Sequence, residues 1–149
     1  MSWAKWSVPF VLSLCILPAA LAQNAIDDAQ KKLLAKRAAE ADAYRKLAEA
    51  IKGVQINSET YVRDFVAEHD EIRAGLDTFI RGVRLGQPRY YADGSAEVPA
   101  EVTVARLVEV LTDLHTRVYK DGCGKCRVKV KDIQTIEQRL EKKVIQIVG

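Results

Sequence analysis

Three cysteines occur in the chain, Cys15, Cys123 and Cys126, and they offer the most definite chemistry in the sequence. Cys123-Gly-Lys-Cys126 leaves two residues between the thiols, a spacing that suits a redox disulfide, half of a zinc site or a small structural loop. A thioredoxin-type pair places its first cysteine at a helix N-terminus after a strand, which lowers the thiol pKa. Here an amphipathic pattern precedes the pair, and the alternating basic stretch Arg127-Val-Lys-Val-Lys131 follows it. A zinc ion takes about four ligands, and only His69 and His115 supply imidazoles, so a metal site would have to be shared across a dimer. Arg127 stands where haem attachment requires histidine. In an oxidising compartment the expectation is a local structural disulfide between Cys123 and Cys126, with thiol–disulfide exchange or metal binding as the alternative. His115 falls near an apolar stripe and His69 in a charged stretch, and both are expected to be structural or solvated. The sequence has no Gly-rich phosphate loop after a strand, no serine nucleophile motif and no paired acid framework. It therefore reads as a non-enzymatic protein, with no catalytic residue, cofactor or metal expected.

The compartment follows from the first 22 residues. Lys5 supplies a positive region, residues 8–17 an apolar core, and Ala20-Leu-Ala22 a small-x-small cleavage site, so residues 1–22 read as a signal peptide and Gln23 as the start of the exported chain. The apolar run is shorter than the roughly 20 residues that a spanning helix needs. Leu14 precedes Cys15 where a lipoprotein signal needs a small residue, so Cys15 is filler of the apolar core and no lipobox is found. The expected location is the periplasm. Of 23 basic side chains only Lys5 lies in the signal segment, so 22 face 20 acidic ones in residues 23–149, a net charge of +2. That near balance gives no reason to expect nucleic acid as a partner.

The exported part reads as one domain, residues 23–149. Strong helix formers fill residues 24–53, with Asn24 and Asp27 set to cap the start and Gly53 to end the helix in a left-handed conformation. On a helical wheel Ile26, Leu33, Leu34, Ala41, Tyr44, Leu47, Ala48 and Ile51 share somewhat less than half the circumference. A second row of small residues, Ala35, Ala39, Ala43 and Ala50, suggests a surface where a neighbouring subunit approaches closely.

Alternation over residues 54–62 predicts a strand, and residues 64–74 read as a connection with at most a short helical turn. Residues 76–104 read as a hairpin about an Asp93-Gly94 type I′ turn. That register sets Tyr91 against Ala96, Arg89 against Val98 and Leu85 against Val102. It also puts Pro88 opposite Pro99, where the ladder should bend. Val104, Leu107, Val108, Leu111, Leu114, His115 and Val118 have the spacing of an amphipathic helix. An exposed ribbon over residues 127–131, a short helix carrying Ile133, Ile136 and Leu140, and a strand over residues 144–149 complete the order. The expected class is α+β: an antiparallel sheet with the long N-terminal helix and a second helix packed on one face.

The stretch Ala35-Lys-Arg-Ala-Ala-Glu-Ala-Asp-Ala-Tyr-Arg-Lys-Leu-Ala-Glu-Ala-Ile-Lys-Gly53 resembles the LPP-twenty family of small bacterial envelope lipoproteins. It is also similar to related flagellar-assembly proteins of the FlgP kind and to the first domain of FlgT. The likeness continues through Val54 to Val62, then Ile80-Arg-Gly-Val83, Asp93-Gly94, Ala96-Glu-Val98 and Val102-Thr-Val104, so it covers a core of residues 35–104 and leaves 105–149 as a C-terminal extension. The resemblance implies a structural or assembly protein of the envelope, with the outer membrane or the flagellar apparatus as its setting. It supplies no catalytic residue, and the loop carrying Cys123 and Cys126 lies outside it. The expected partner is a protein, a second copy or an envelope component, with peripheral association at the outer membrane.

Overall fold

Alanine-rich sequence without a breaker produces the longest element. In the computed structural model, which describes residues 19–120, 126–140 and 144–149, with side chains from residue 26 onward, helix α1 runs over Ala19–Lys52. It begins ahead of Asn24, which lies inside the helix and not at its start. The helix also passes straight through Ala22-Gln23, the junction expected to be cut on export. Gly53 ends α1 by donating its N–H to Glu49 O at 2.9 Å. It does not adopt the expected left-handed conformation, which among the described glycines belongs to Gly94 at φ 84°.

A tight turn replaces the strand expected over residues 54–62. Asn57 Oδ1 accepts the N–H groups of Glu59 and Thr60 at 3.0 and 2.9 Å, folding the chain back so that Ile56 N–H reaches Thr60 O at 2.8 Å. Gln55 and Tyr61 form a single bridge across it. Helix α2, Val62–Glu68, follows at once, its start satisfied by Asp64 Oδ2, which accepts Tyr61 N–H at 3.0 Å. His69, extended at φ −143° and ψ 133°, separates α2 from helix α3, Asp70–Arg81. Two helices thus replace the connection expected over residues 64–74 and the start of the expected hairpin arm. Val62, Phe65 and Val66 of α2 and Ile72, Leu76 and Ile80 of α3 are buried.

The hairpin forms at its expected tip but in a shifted register. Strands β1, Arg89–Tyr90, and β2, Ala96–Glu97, pair with Arg89 opposite Glu97 and Tyr90 opposite Ala96, one residue away from the expected alignment. The loop causes the shift. Tyr91 N–H donates to Ser95 O at 3.0 Å and Gly94 N–H to Tyr91 O at 3.1 Å, so three residues, ending in left-handed Gly94, make the connection. That is the type I turn with a bulge and not the two-residue I′ turn. Asp93 Oδ1 accepts the Ser95 N–H and hydroxyl at 2.9 and 2.7 Å and fixes the geometry. Further out, Leu85 bridges Ala100 instead of Val102.

Strand β3, Pro99–Thr103, runs directly into helix α4, Val104–Val118, where Thr103 Oγ1 accepts Arg106 N–H at 3.3 Å as the cap. Helix α4 is placed as its spacing predicted, with Val104, Leu107, Val108, Leu111, Leu114 and His115 all buried. Val128 is buried and helix α5, Val130–Arg139, begins two residues later, so no ribbon forms over residues 127–131. Ile133 and Ile136 are buried as expected. Strand β4, Val144–Val148, pairs antiparallel with β3 from Pro99 opposite Val148 to Thr103 opposite Val144.

The fold is α+β: among the described residues, five helices and two two-stranded antiparallel sheets, β1-β2 and β3-β4, where one sheet was expected. Ala43, Leu47 and Ile51 of α1 join the buried faces of α3, α4, α5 and β3 in one core. Residues beyond 104 are integral to it. Arg139 donates to Ile56 O, and Asn57 Nδ2 donates to Arg127 O at 3.3 Å, so the turn after α1 holds α5 in place.

Candidate functional site

Helix α4 ends beside an aromatic cluster. Phe65 and His69 stand four residues apart on or just after α2, and His115 and Tyr119 stand four apart on α4 and its C-cap, so each pair shares one side of its helix. The two pairs meet. The Phe65 ring stacks on His115 at 6.0 Å, His115 lies 4.7 Å from Tyr119, and His69 meets Tyr119 edge-on at 5.1 Å. His115 Nε2 sits 3.0 Å from Val128 O. A carbonyl only accepts, so Nε2 carries the hydrogen, and the buried imidazole ties α4 to the backbone just past Cys126. His115 is buried and structural and His69 is exposed, as expected of a structural and a solvated histidine, but their convergence on Tyr119 was missed. The i,i+4 spacing of each pair was the available signal, and it becomes legible only once residues 62–68 are read as helix.

Tyr119 donates its hydroxyl to Glu68 Oε2 at 3.1 Å. Burial, and then this bond to a carboxylate, push its pKa above the ordinary tyrosine value. A raised folded pKa stabilises the neutral form, so this contribution is full below the unfolded value near about 10 and disappears as pH rises through the folded one. Tyr119→Phe is expected to cost about 0.5–1.5 kcal/mol at neutral pH, the range for one hydrogen bond. It should also shrink the loss of stability above pH ~10 that urea melts record for the unaltered protein. Equal alkaline losses in both proteins would exclude Tyr119 as their source.

Cys123 lies outside the described residues, while Cys126 is described and half-buried. Among the described residues no three His, Cys, Asp or Glu side chains converge in a way that could hold a metal ion. An open groove of about 470 Å³ lies elsewhere, between the end of α3 and the start of α4, with Arg84, Glu101 and Arg106 on its walls. Arg106 is already held by Glu109 at 2.6 Å.

The alanine row of α1 faces inward. Ala43 is fully buried and Ala39 nearly so, while Ala35 and Ala50 are half-buried. What approaches them is the chain itself. A Cβ on Gly149 would lie 2.1 Å from Ala43 N and 2.6 Å from Ala39 O, so the C-terminal glycine rests on the α1 backbone. Ala35 and Ala39 also face Ser95 and Ala96 of the hairpin across a shallow groove. The close approach expected from a neighbouring subunit is therefore made within the molecule at Ala39 and Ala43.

The N-terminal half of α1 behaves differently. Every residue over 26–34 is exposed, and the first buried position is Ala39. Ile26, Leu33 and Leu34, placed by the wheel on the core-facing arc, are 55%, 47% and 64% exposed. The helix outruns the domain. At 1.5 Å per residue, the twenty residues before Ala39 span about 30 Å. No described helix is long and apolar enough to cross a membrane.

Compared with family models, with curated proteins and with solved structures, the chain finds no match.

Proposed function

We propose that the chain is a non-enzymatic assembly protein of the periplasm, exported by cleavage after Ala22 and docked to an envelope partner through the outrunning half of α1. The observation that carries this reading is the apolar row Ile26, Leu33 and Leu34, at i, i+7 and i+8 on a stretch of helix that no other described residue covers. Large apolar side chains grouped on one helix face mark an interaction surface more often than scattered ones do. The outer membrane or the flagellar apparatus, which the LPP-twenty resemblance implies, is the proposed setting. Cys123 and Cys126 would close a local disulfide beside the His115 anchor, where it would stiffen the loop between α4 and α5.

Replacing Leu33 and Leu34 together by Glu tests the docking helix. Both side chains are exposed, so urea stability should stay within about 0.5 kcal/mol for each change. The protein should nevertheless move from large envelope complexes to a small soluble species on a sizing column. Retention in the large complexes would remove α1 as the docking element. Thiol titration of the same exported material should find no free thiol, whereas two reactive thiols, or a bridge with a potential far above about −300 mV, would favour an exchange or metal-binding module.

A further inference from the structure

The pairing of β4 leaves one of its edges open. Val98 and Gly149 exchange both backbone hydrogen bonds, at 2.9 and 3.0 Å, at the end of the β3-β4 ladder. Bonded pairs alternate along an antiparallel ladder, so Ala100 with Ile147 and Val102 with Ile145 are the next bonded pairs. The N–H and C=O groups of Val144, Gln146 and Val148 consequently point away from β3. Among the described residues β4 has no second neighbour. One of these outward groups has a partner, Val148 O, which accepts from Lys46 Nζ at 3.0 Å.

We propose that β4 is a self-pairing edge: two copies of the chain join antiparallel along Val144–Val148 about a two-fold axis at Gln146. The strand reads Val-Ile-Gln-Ile-Val, the same in both directions. Antiparallel pairing about its centre sets Val144 against Val148, Ile145 against Ile147 and Gln146 against itself. Two-fold antiparallel pairing is isologous, and in this strand it sets each side chain against its own kind, valine on valine and isoleucine on isoleucine. The side chains fit the same geometry. Ile145 and Ile147 are half-buried against the core, whereas Val144 and Val148 are 39% and 51% exposed on the other face and would meet across the axis.

Exposed edges are usually blunted by charge, proline or a bulge, and β4 carries none of these within its five residues. Among the described residues, Lys46 guards it by donating to Val148 O. That ammonium also holds Asp42 Oδ2 at 2.8 Å, and this pair keeps the Asp42 pKa below its ordinary value. Lys46 can thus release Val148 O and remain paired. Two two-stranded sheets would become one of four strands, with six new backbone hydrogen bonds from three outward residues on each copy. The inference deepens the assembly reading by giving it a contact between like copies.

Sedimentation velocity of the full chain over a wide concentration range tests it, using Gln146→Lys and Gln146→Glu. Gln146 is exposed and stands opposite Glu101, to which its Nε2 donates at 3.3 Å, so Gln146→Lys should keep the circular dichroism and melting temperature of the unaltered protein, while Gln146→Glu should keep the circular dichroism with a slightly lower melting temperature. Like charges directly opposite one another are destabilising, and each variant alone should dimerise at least about tenfold more weakly. An equimolar mixture of the two should recover the dimer, because Lys then faces Glu across the axis. Lys46→Met should strengthen pairing by freeing Val148 O. A monomer at every concentration, or a dimer indifferent to both Gln146 variants, overturns the edge contact. Neither outcome touches α1 docking, which the Leu33 and Leu34 replacements test separately.

Discussion

Ala43→Arg is expected to destabilise the domain by at least about 3 kcal/mol, through overpacking and through a charge carried into an apolar contact. Ala43 is fully buried, and Gly149 lies so close to its backbone that even a methyl group on the glycine would overlap it. An arginine there must push β4 away from α1. Moving β4 also uncovers Ala100 and Val102, because the two strands pair along their whole length. Domains of this size have a total stability of about 5–15 kcal/mol, so the loss should be plain as a fall in the urea midpoint. Ala38→Arg is the matched control: Ala38 is exposed five positions earlier on the same helix, and its change should stay within about 0.5 kcal/mol. A stable Ala43→Arg protein with altered mass would instead return the alanine row to the role of a subunit interface.

The alanine row shows where sequence reasoning reached its limit. Small residues at regular helical spacing announce close approach, and close approach is what Ala39 and Ala43 make. The sequence does not say what approaches, because the visitor, Gly149, is over one hundred positions away. Helix α4 and β4 were legible throughout, since a single unbroken period ran through each. Helices α2 and α3 were not. Val62, Phe65, Val66, Ile72, Leu76 and Ile80 fall within about 120° of one another on a helical wheel, but the alternation over residues 54–62 claimed Val62, the hairpin claimed Leu76 and Ile80, and Asp64, Glu68, Asp70, Glu71 and Arg73 crowd what was left. The hairpin tip was legible from Asp93-Gly94, but its register depended on whether two or three residues turned, and the Asp93 side chain settled that locally. The aromatic cluster stayed hidden because two of its four rings belong to the missed α2 junction.

Phe65→Ala should be the costliest truncation in that cluster, about 3–5 kcal/mol. Phe65 is fully buried, and α2 is only seven residues long, far below the roughly 12–15 at which an isolated helix holds itself together in water. Its helical state therefore depends on what its buried face touches, and Phe65 is the largest side chain on that face. Losing the ring also strips one side of His115, the residue that fixes Val128 through Nε2. Burial is the leading cause of the raised Tyr119 pKa, so loosening the cluster should let that hydroxyl fall back toward the ordinary tyrosine range. Two readouts are thus expected to move together, the urea midpoint and the alkaline absorbance titration of tyrosine. Phe65→Leu, which keeps most of the volume, should cost under about 1.5 kcal/mol and leave the titration nearly in place. If Phe65→Ala lowered stability while the tyrosine titration stayed fixed, α2 would be held by Phe65 independently of the cluster, and His115 and Tyr119 would be anchored by Val128 and Glu68 alone.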